Sequence, residues 1–353
     1  MRKILFHICY VAVFATLFSS CNNKGGGSLG IGNATGRPGE LMLVISNDVY
    51  NSNAGIIISE VLQESAPSLP QDEPMFRLSY TTPNNFSGNL KTVRNIMIVE
   101  ADSTRFTTTS FKCGYNQWAK GQMVMNITSP NTDSIVSYFE KNRTAIQNII
   151  LRHEYSIMAG YLSSQYSGVA DKYVDSLFNY HINVPQDIKK HKFGSNFLWM
   201  SNDAIRKRMD FMVYSMPYKS QEDIGLDNIV AVRDSVLKAN ISGESEGSYP
   251  TTEKMVGLLY RKIVFPDGNI RGEVRGLWKM EGPDMMGGPF VCHALIDKST
   301  QKVYFVDAFV YNPNDKKLDL IRVMESSLYT FRPDSVKNFN AEIINETKSS
   351  KYN

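Results

Sequence analysis

Hydrophobic and polar positions alternate most strictly between Ile270 and Met280. The even positions there are Ile270, Gly272, Val274, Gly276, Trp278 and Met280, and the odd ones include Arg271, Glu273, Arg275 and Lys279. A period of two with charges on one side predicts a strand with one buried and one wet face. Residues 290–296 and 303–310 are apolar on both faces, which predicts two central strands. Residues 270–311 are the densest run of strand signal in the chain.

The same reading applies upstream. Residues 40–46 (ELMLVIS) predict a buried strand, and Ile57, Ile58, Val61 and Leu62 set a helix over 51–64. Further strands are predicted at 75–80, 95–101, 106–113 and 122–128, with a loop at 114–118 that pins Trp118. The longest helix starts at the capping run Asn131-Thr132-Asp133 and carries Ile135, Phe139, Ile146, Ile150, His153, Ile157 and Tyr161 at helical spacing. Gly168 breaks it, and a shorter helix follows at 169–180. Beyond residue 191 the pattern predicts strands at 193–200 and 209–216, a helix at 227–240 and a strand at 256–265. Pro266-Asp267-Gly268-Asn269 is a hairpin turn into the alternating stretch. Asn312-Pro313-Asn314-Asp315 stops the last strand and leads into a helix at 316–328.

Strands that neighbour one another, with helices before and after, predict an α+β fold: mostly antiparallel sheet with flanking helices and one long helix near 132–165. The natural divisions are an N-terminal lobe at 39–190, a C-terminal lobe at 191–335 and a polar, loose tail at 336–353. Both lobes end in a helix, which suggests two similar lobes without a residue-level repeat.

Residues 1–38 add an address. Arg2 and Lys3 precede an apolar run from Ile4 to Phe18, as in an export signal spanning residues 1–20. Leu17-Phe18-Ser19-Ser20-Cys21 resembles a lipobox, which makes Cys21 the expected lipidated (palmitate-bearing) N-terminus. Asn22 to Pro38 is glycine-rich and aperiodic, a flexible tether reaching about 20–25 Å. Asn22 is not the aspartate of inner-membrane retention, and no acidic run follows Cys21, so the expected location is the periplasmic face of the outer membrane.

Removal of Arg2 and Lys3 lowers the formal charge from +3 to +1. A near-neutral chain without a basic patch speaks against nucleic acid as partner. Of the four cysteines, Cys9 falls with the signal and Cys21 takes the lipid. Cys113 and Cys292 are left either to pair in an oxidising compartment or to stay as thiols.

Candidate chemistry is sparse. Gly25 to Gly30 fits a dinucleotide fingerprint but lies in the tether, with no strand before it. Gly243-Glu244-Ser245-Glu246-Gly247 fits a nucleophile elbow but follows a helix and enters a polar loop. His153-Glu154 has no second histidine at helical spacing, so His153 reads as a core residue; His181 and His191 read as parts of a solvated connector. No metal and no cofactor are expected. The weak catalytic candidates are His293 and Asp307, the one histidine and the one acid in adjacent core strands. An odd-length turn would place Asp307 with His293, and an even-length turn with Cys292. The loop from Glu281 to Pro289, with Trp278, Gly287 and Gly288, is a candidate rim of a binding cleft. Asp-Ser followed by threonine or an aliphatic residue occurs five times, where average composition predicts about one. The pattern resembles Bacteroidetes O-glycosylation sites and marks Ser103, Ser134, Ser176, Ser235 and Ser335.

Several motifs, namely Gly36-Arg37-Pro38-Gly39-Glu40, Leu69 to Pro74 (LPQDEP), Arg94-Asn95-Ile96, Gly276 to Gly282 (GLWKMEG) and Gly287-Gly288-Pro289-Phe290, resemble a Bacteroidetes lipoprotein family catalogued as domain of unknown function 4837. The likeness spans most of the chain after Cys21 and implies a cell-envelope lipoprotein; it brings no activity with it. The expectation is a non-catalytic binding or assembly protein, anchored through Cys21 and acting on an envelope protein or glycan. The alternative is an envelope hydrolase with a site near His293, Asp307 and the Gly287-Gly288 loop.

Overall fold

The structure is a computed structural model that describes residues 31–350 and Tyr352. Cys21, the signal and the tether up to residue 30 lie outside the described residues. The fold is α+β, with two main sheets and flanking helices.

The first half runs β1 (Glu40–Val44), α1 (Asn53–Leu62), β2 (Arg77–Thr81), β3 (Asn95–Ala101), β4 (Ser110–Tyr115), β5 (Met123–Ser129) and α2 (Thr132–Leu162). Its five strands pair in the order β2-β1-β3-β5-β4, parallel except for β4 on β5. Strand alternation splits the sheet's core in two. Leu41, Leu43, Met97, Met125 and Ile127 pack beneath α1 and α2, while Met42, Val44, Ile96 and Val124 face the loop residues Phe86, Leu90 and Trp118. The Asn131 side chain caps α2 by accepting from the Ser134 backbone N–H, as the sequence predicts. At 31 residues, and about 1.5 Å per residue, α2 is long enough to cover this sheet and then continue onto the helices of the second half.

The second half runs α3 (Gly168–Phe178), β6 (Tyr180–His181), β7 (Lys190–Gly194), β8 (Phe197–Ser201), β9 (Arg208–Pro217), α4 (Leu226–Asn240), β10 (Tyr249–Glu253), β11 (Leu259–Val264), β12 (Ile270–Glu281), β13 (Gly287–Asp297), β14 (Lys302–Tyr311), α5 (Leu318–Tyr329), β15 (Arg332–Pro333), α6 (Ile343–Glu346) and β16 (Lys348–Ser349). Nine strands form one antiparallel sheet in the order β16-β11-β12-β13-β14-β9-β8-β7, with β10 extending the β11 side of β12. One face packs Phe290, Cys292 and Phe305 under α4; the other packs Val291, Tyr304, Val306 and Ala308 under α3 and α5. This is why residues 290–296 and 303–310 are apolar on both sides. The two halves, expected to be similar lobes, differ in pairing: one sheet is mostly parallel and the other antiparallel.

Three local expectations need correction, and one strand has no sequence signal. Residues 193–200 are not one strand but a hairpin, because Asn196 takes a left-handed backbone (φ 51°) between β7 and β8. β10 carries no apolar alternation and contains Pro250, which is tolerated because β10 is an edge strand. The tail is not loose: Ile344 is fully buried against Tyr155 and Tyr329, and β16 adds to the edge of β11. The expected wet face of β12 is not wet. Arg271, Glu273 and Arg275 are all buried, because α5 and α2 lie over that side of the strand.

Candidate functional site

The β13–β14 turn has an even length, since Asp297 pairs with Lys302. Asp307 is therefore opposite Cys292, and His293 is opposite Val306. His293 and Asp307 sit on opposite faces of the sheet, both fully buried, so of the two alternatives the one with Cys292 holds and no His293–Asp307 pair forms. Asp307 instead accepts from Arg233 Nε at 2.6 Å beneath α4. Burial pushes the Asp307 carboxyl up, and Arg233 pulls it back. His293 Nε2 lies 3.2 Å from Glu273 Oε2 on the α5 side. Burial lowers the His293 imidazole to about 4, so it is neutral at neutral pH and donates to the carboxylate.

The loop between β12 and β13 is also structural. The Trp278 indole is buried and donates to the Val310 carbonyl at 3.0 Å. Gly288 lies so close to β14 that a Cβ there would meet Val310 O at 2.1 Å. Gly287 would meet Trp278 O at 2.8 Å. These glycines permit close strand packing. Met285, at the loop tip, is almost fully exposed.

The buried charged face of β12 builds a constellation that sequence reading missed. Glu273 is at its centre. Arg261 Nη2 donates to Glu273 Oε2 at 3.0 Å, Arg275 Nε to Oε1 at 3.1 Å, and the Tyr352 hydroxyl to Oε1 at 2.6 Å. Arg261 Nε lies 2.9 Å from Oε1 without hydrogen-bond alignment. Burial alone would raise the Glu273 pKa, but Arg261 and Arg275 overturn that and hold it well below the carboxylate range. On α5, Glu325 forms an ion pair with Arg275 and lies 3.6 Å from Arg261. Arg275 also donates to the buried Tyr155 hydroxyl on α2, whose phenol burial pushes up to about 12. Arg271, with no acid partner among the described residues, donates to the carbonyls of Leu328 and Phe331 at the negative end of α5. Burial lowers it to about 10.

This cluster forms one wall of a cavity of about 270 Å³ between the two sheets. Leu259, Arg261 and Arg275 come from β11 and β12, and Leu318, Ile321 and Arg322 from α5 and the residue that opens it. Gln147, Leu151 and Tyr155 line it from α2, Ala66, Pro67 and Met75 from the segment after α1, and Tyr352 from the tail. Exposed Glu64 and Ser65 mark its rim. Arg322 Nη2 donates to the Met75 carbonyl at 2.5 Å, and its guanidinium lies over the Phe76 ring. Burial lowers its pKa. Apolar walls with a few fixed polar groups at a junction of substructures are what small-ligand sites are made of.

The other candidates lie apart from this cavity. Cys113 is exposed on β4 and Cys292 buried on β13, and both are free thiols. Ser103, Ser176, Ser235 and Ser335 are exposed, whereas Ser134 is half-buried in the first turn of α2. His153 is buried on α2, as expected of a core histidine. His181 is not a solvated connector: its two ring nitrogens meet Asp171 and Asp334 at 3.0–3.1 Å. Asp175, His181 and Asp334 have metal-ligand proximity, but both imidazole nitrogens are engaged, by Asp171 and Asp334.

No curated protein matches the chain. Residues 34–163 match the family Domain of unknown function (DUF8532). The motifs at 36–40, 69–74 and 94–96 fall in that segment, so the resemblance drawn from the sequence is narrower than expected. The Trp278-to-Phe290 segment, its most specific part, falls in a second match that begins just before α3. Residues 167–330 match the family Domain of unknown function (DUF4837).

Proposed function

We propose that this chain is a lipoprotein held by Cys21 at the periplasmic face of the outer membrane, and that its folded part is a non-catalytic binding protein. The observation that supports the binding role is the arginine-lined cavity between the sheets, walled by residues from α2, β11, β12, α5 and the tail. A binding role is favoured over hydrolysis because His293 and Asp307 face opposite sides of the sheet, Asp307 held in a buried ion pair with Arg233 and His293 in a buried hydrogen bond to Glu273. The cavity would meet an envelope component, either a protein bearing a small ligand group or a glycan constituent. The exposed hydroxyls of Ser103, Ser176, Ser235 and Ser335 are candidate O-glycosylation sites of such an exported chain.

The test is a photo-crosslinking amino acid at the rim position Glu64, irradiated in intact envelopes and followed by mass spectrometry, beside fractionation of a Cys21→Ala chain. The proposal expects a discrete crosslinked envelope species, and loss of lipid labelling with the Cys21→Ala change. A bare, uncrosslinked chain whose membrane association does not depend on Cys21 would refute it.

A further inference from the structure

Arg322 differs from the other two arginines on the cavity wall. Arg261 and Arg275 are matched by the buried carboxylates of Glu273 and Glu325. Among the described residues, Arg322 has no carboxylate within ion-pair distance; its hydrogen bond goes to the Met75 carbonyl. The nearest acids are committed elsewhere: Glu154 to Asn95, the Gly39 N–H and Arg94, and Asp319 to Arg77. Three guanidiniums against two carboxylates leave the buried part of the wall with one excess positive charge; Glu64, exposed at the rim, is paired with Arg143. A guanidinium buried without a counter-charge is costly, and an anion entering the cavity would remove that cost.

The rest of the wall sets the body of such an anion. Ala66, Met75, Leu151, Leu259 and Ile321 offer no side-chain hydrogen bonds, Gln147, Tyr155 and Tyr352 are already engaged, and Thr144 and Asn148 add two uncharged polar groups. About 270 Å³ is room for roughly nine waters at ~30 Å³ each, and so for a ligand of about that many non-hydrogen atoms. We infer that the cavity takes an amphipathic monoanion, a carboxylate head on a short apolar body, with Arg322 as its counter-charge. This rests on the cavity being a binding site, as proposed above.

The experiment is isothermal titration calorimetry of the mature chain (residues 21–353, without lipid) with sodium octanoate, 1-octanol and inorganic phosphate. Octanoate is expected to bind one to one, 1-octanol at least about tenfold more weakly, and phosphate not at all. Arg322→Met removes the excess charge without orphaning an acid. It is expected to weaken octanoate by about tenfold or more and leave 1-octanol unchanged. Thr144 also lines the cavity from α2; Thr144→Phe, which fills the space while leaving the three arginines in place, is expected to abolish both and serves as the second variant should Arg322→Met not fold. Equal binding of octanoate and 1-octanol, or unchanged octanoate binding in Arg322→Met, overturns the inference. If octanoate does not bind while the envelope-purified protein retains another molecule, the ligand class is wrong and the binding role stands. If nothing is retained and no crosslink forms, both fall.

Discussion

Arg261 and Glu273 are directly opposite one another across β11 and β12, joined at 3.0 Å and both buried. Through this pair the charged side of an amphipathic strand becomes an interior wall. Glu273 then gathers Arg275, His293 and Tyr352 around it, so one carboxylate ties together β11, β12, β13 and the tail.

Replacing Glu273 with glutamine is therefore predicted to be severe. It leaves Arg261 and Arg275 with only Glu325 between them, and breaking a buried pair in this way costs about 3–5 kcal/mol. Urea denaturation should show a lower midpoint by that amount with an unchanged slope. A shift within experimental error would mean that the cluster is solvated.

The pH dependence has two windows. His153 and His293 are buried, and burial lowers each from 6.5 to about 4 in the folded state. The unfolded chain then binds more protons between those values, so stability is complete above pH 6.5 and falls as pH drops toward 4, by up to ~3 kcal/mol per histidine. Glu273 is held below its ordinary 4.5, and its contribution is lost only as pH falls below that value. Asp210, pushed up to about 6 by burial, acts in the opposite sense and flattens the upper window. His153→Leu should remove one histidine's share of the slope between pH 6.5 and 4, measured by denaturation at stepped pH.

On the other face of the sheet, Asp307→Asn leaves Arg233 buried without a counter-charge and should cost about 3–5 kcal/mol. The double change Arg233→Met with Asp307→Leu should recover most of that loss, because two apolar side chains carry no desolvation penalty. If the double variant is as unstable as the single one, the pair has a role beyond neutralising itself. The expected catalytic assignment of Asp307 would be the first place to look again.

Gly288→Ala tests the reading of the β12–β13 connection. The added Cβ would meet the Val310 carbonyl that also accepts from Trp278, and such overpacking costs about 1–3 kcal/mol. Thermal unfolding should register that loss, while octanoate binding stays at the wild-type value. Lost binding with intact stability would restore this loop as a ligand site.

Much of the architecture was legible in the sequence. Local periodicity finds an element wherever one side of it is apolar, as in β3, β14 and α2. It identified the two-sided strands β13 and β14 for the same reason. It could not say what covers a polar side, and there the site was lost. The odd positions of β12 alternate as a wet face would, but their partners Tyr155 and Glu325 lie far off in sequence. Arg322 and Glu325, one turn apart on α5, look like a solvated face until the sheet is placed against them. The His293–Asp307 question hung on the parity of one turn, which residue pattern does not fix. In the tail, Ile344 and Tyr352 are single anchors in a polar segment, too few to register as a period.

The most direct test of the binding role is native mass spectrometry of the chain released from its own envelope, wild type beside Thr144→Phe. A retained molecule of defined mass in the wild type, absent from the variant whose added ring fills the cavity, is the predicted result. A wild-type mass fully accounted for by the chain and its covalent modifications, identical in kind to that of the variant, would contradict it.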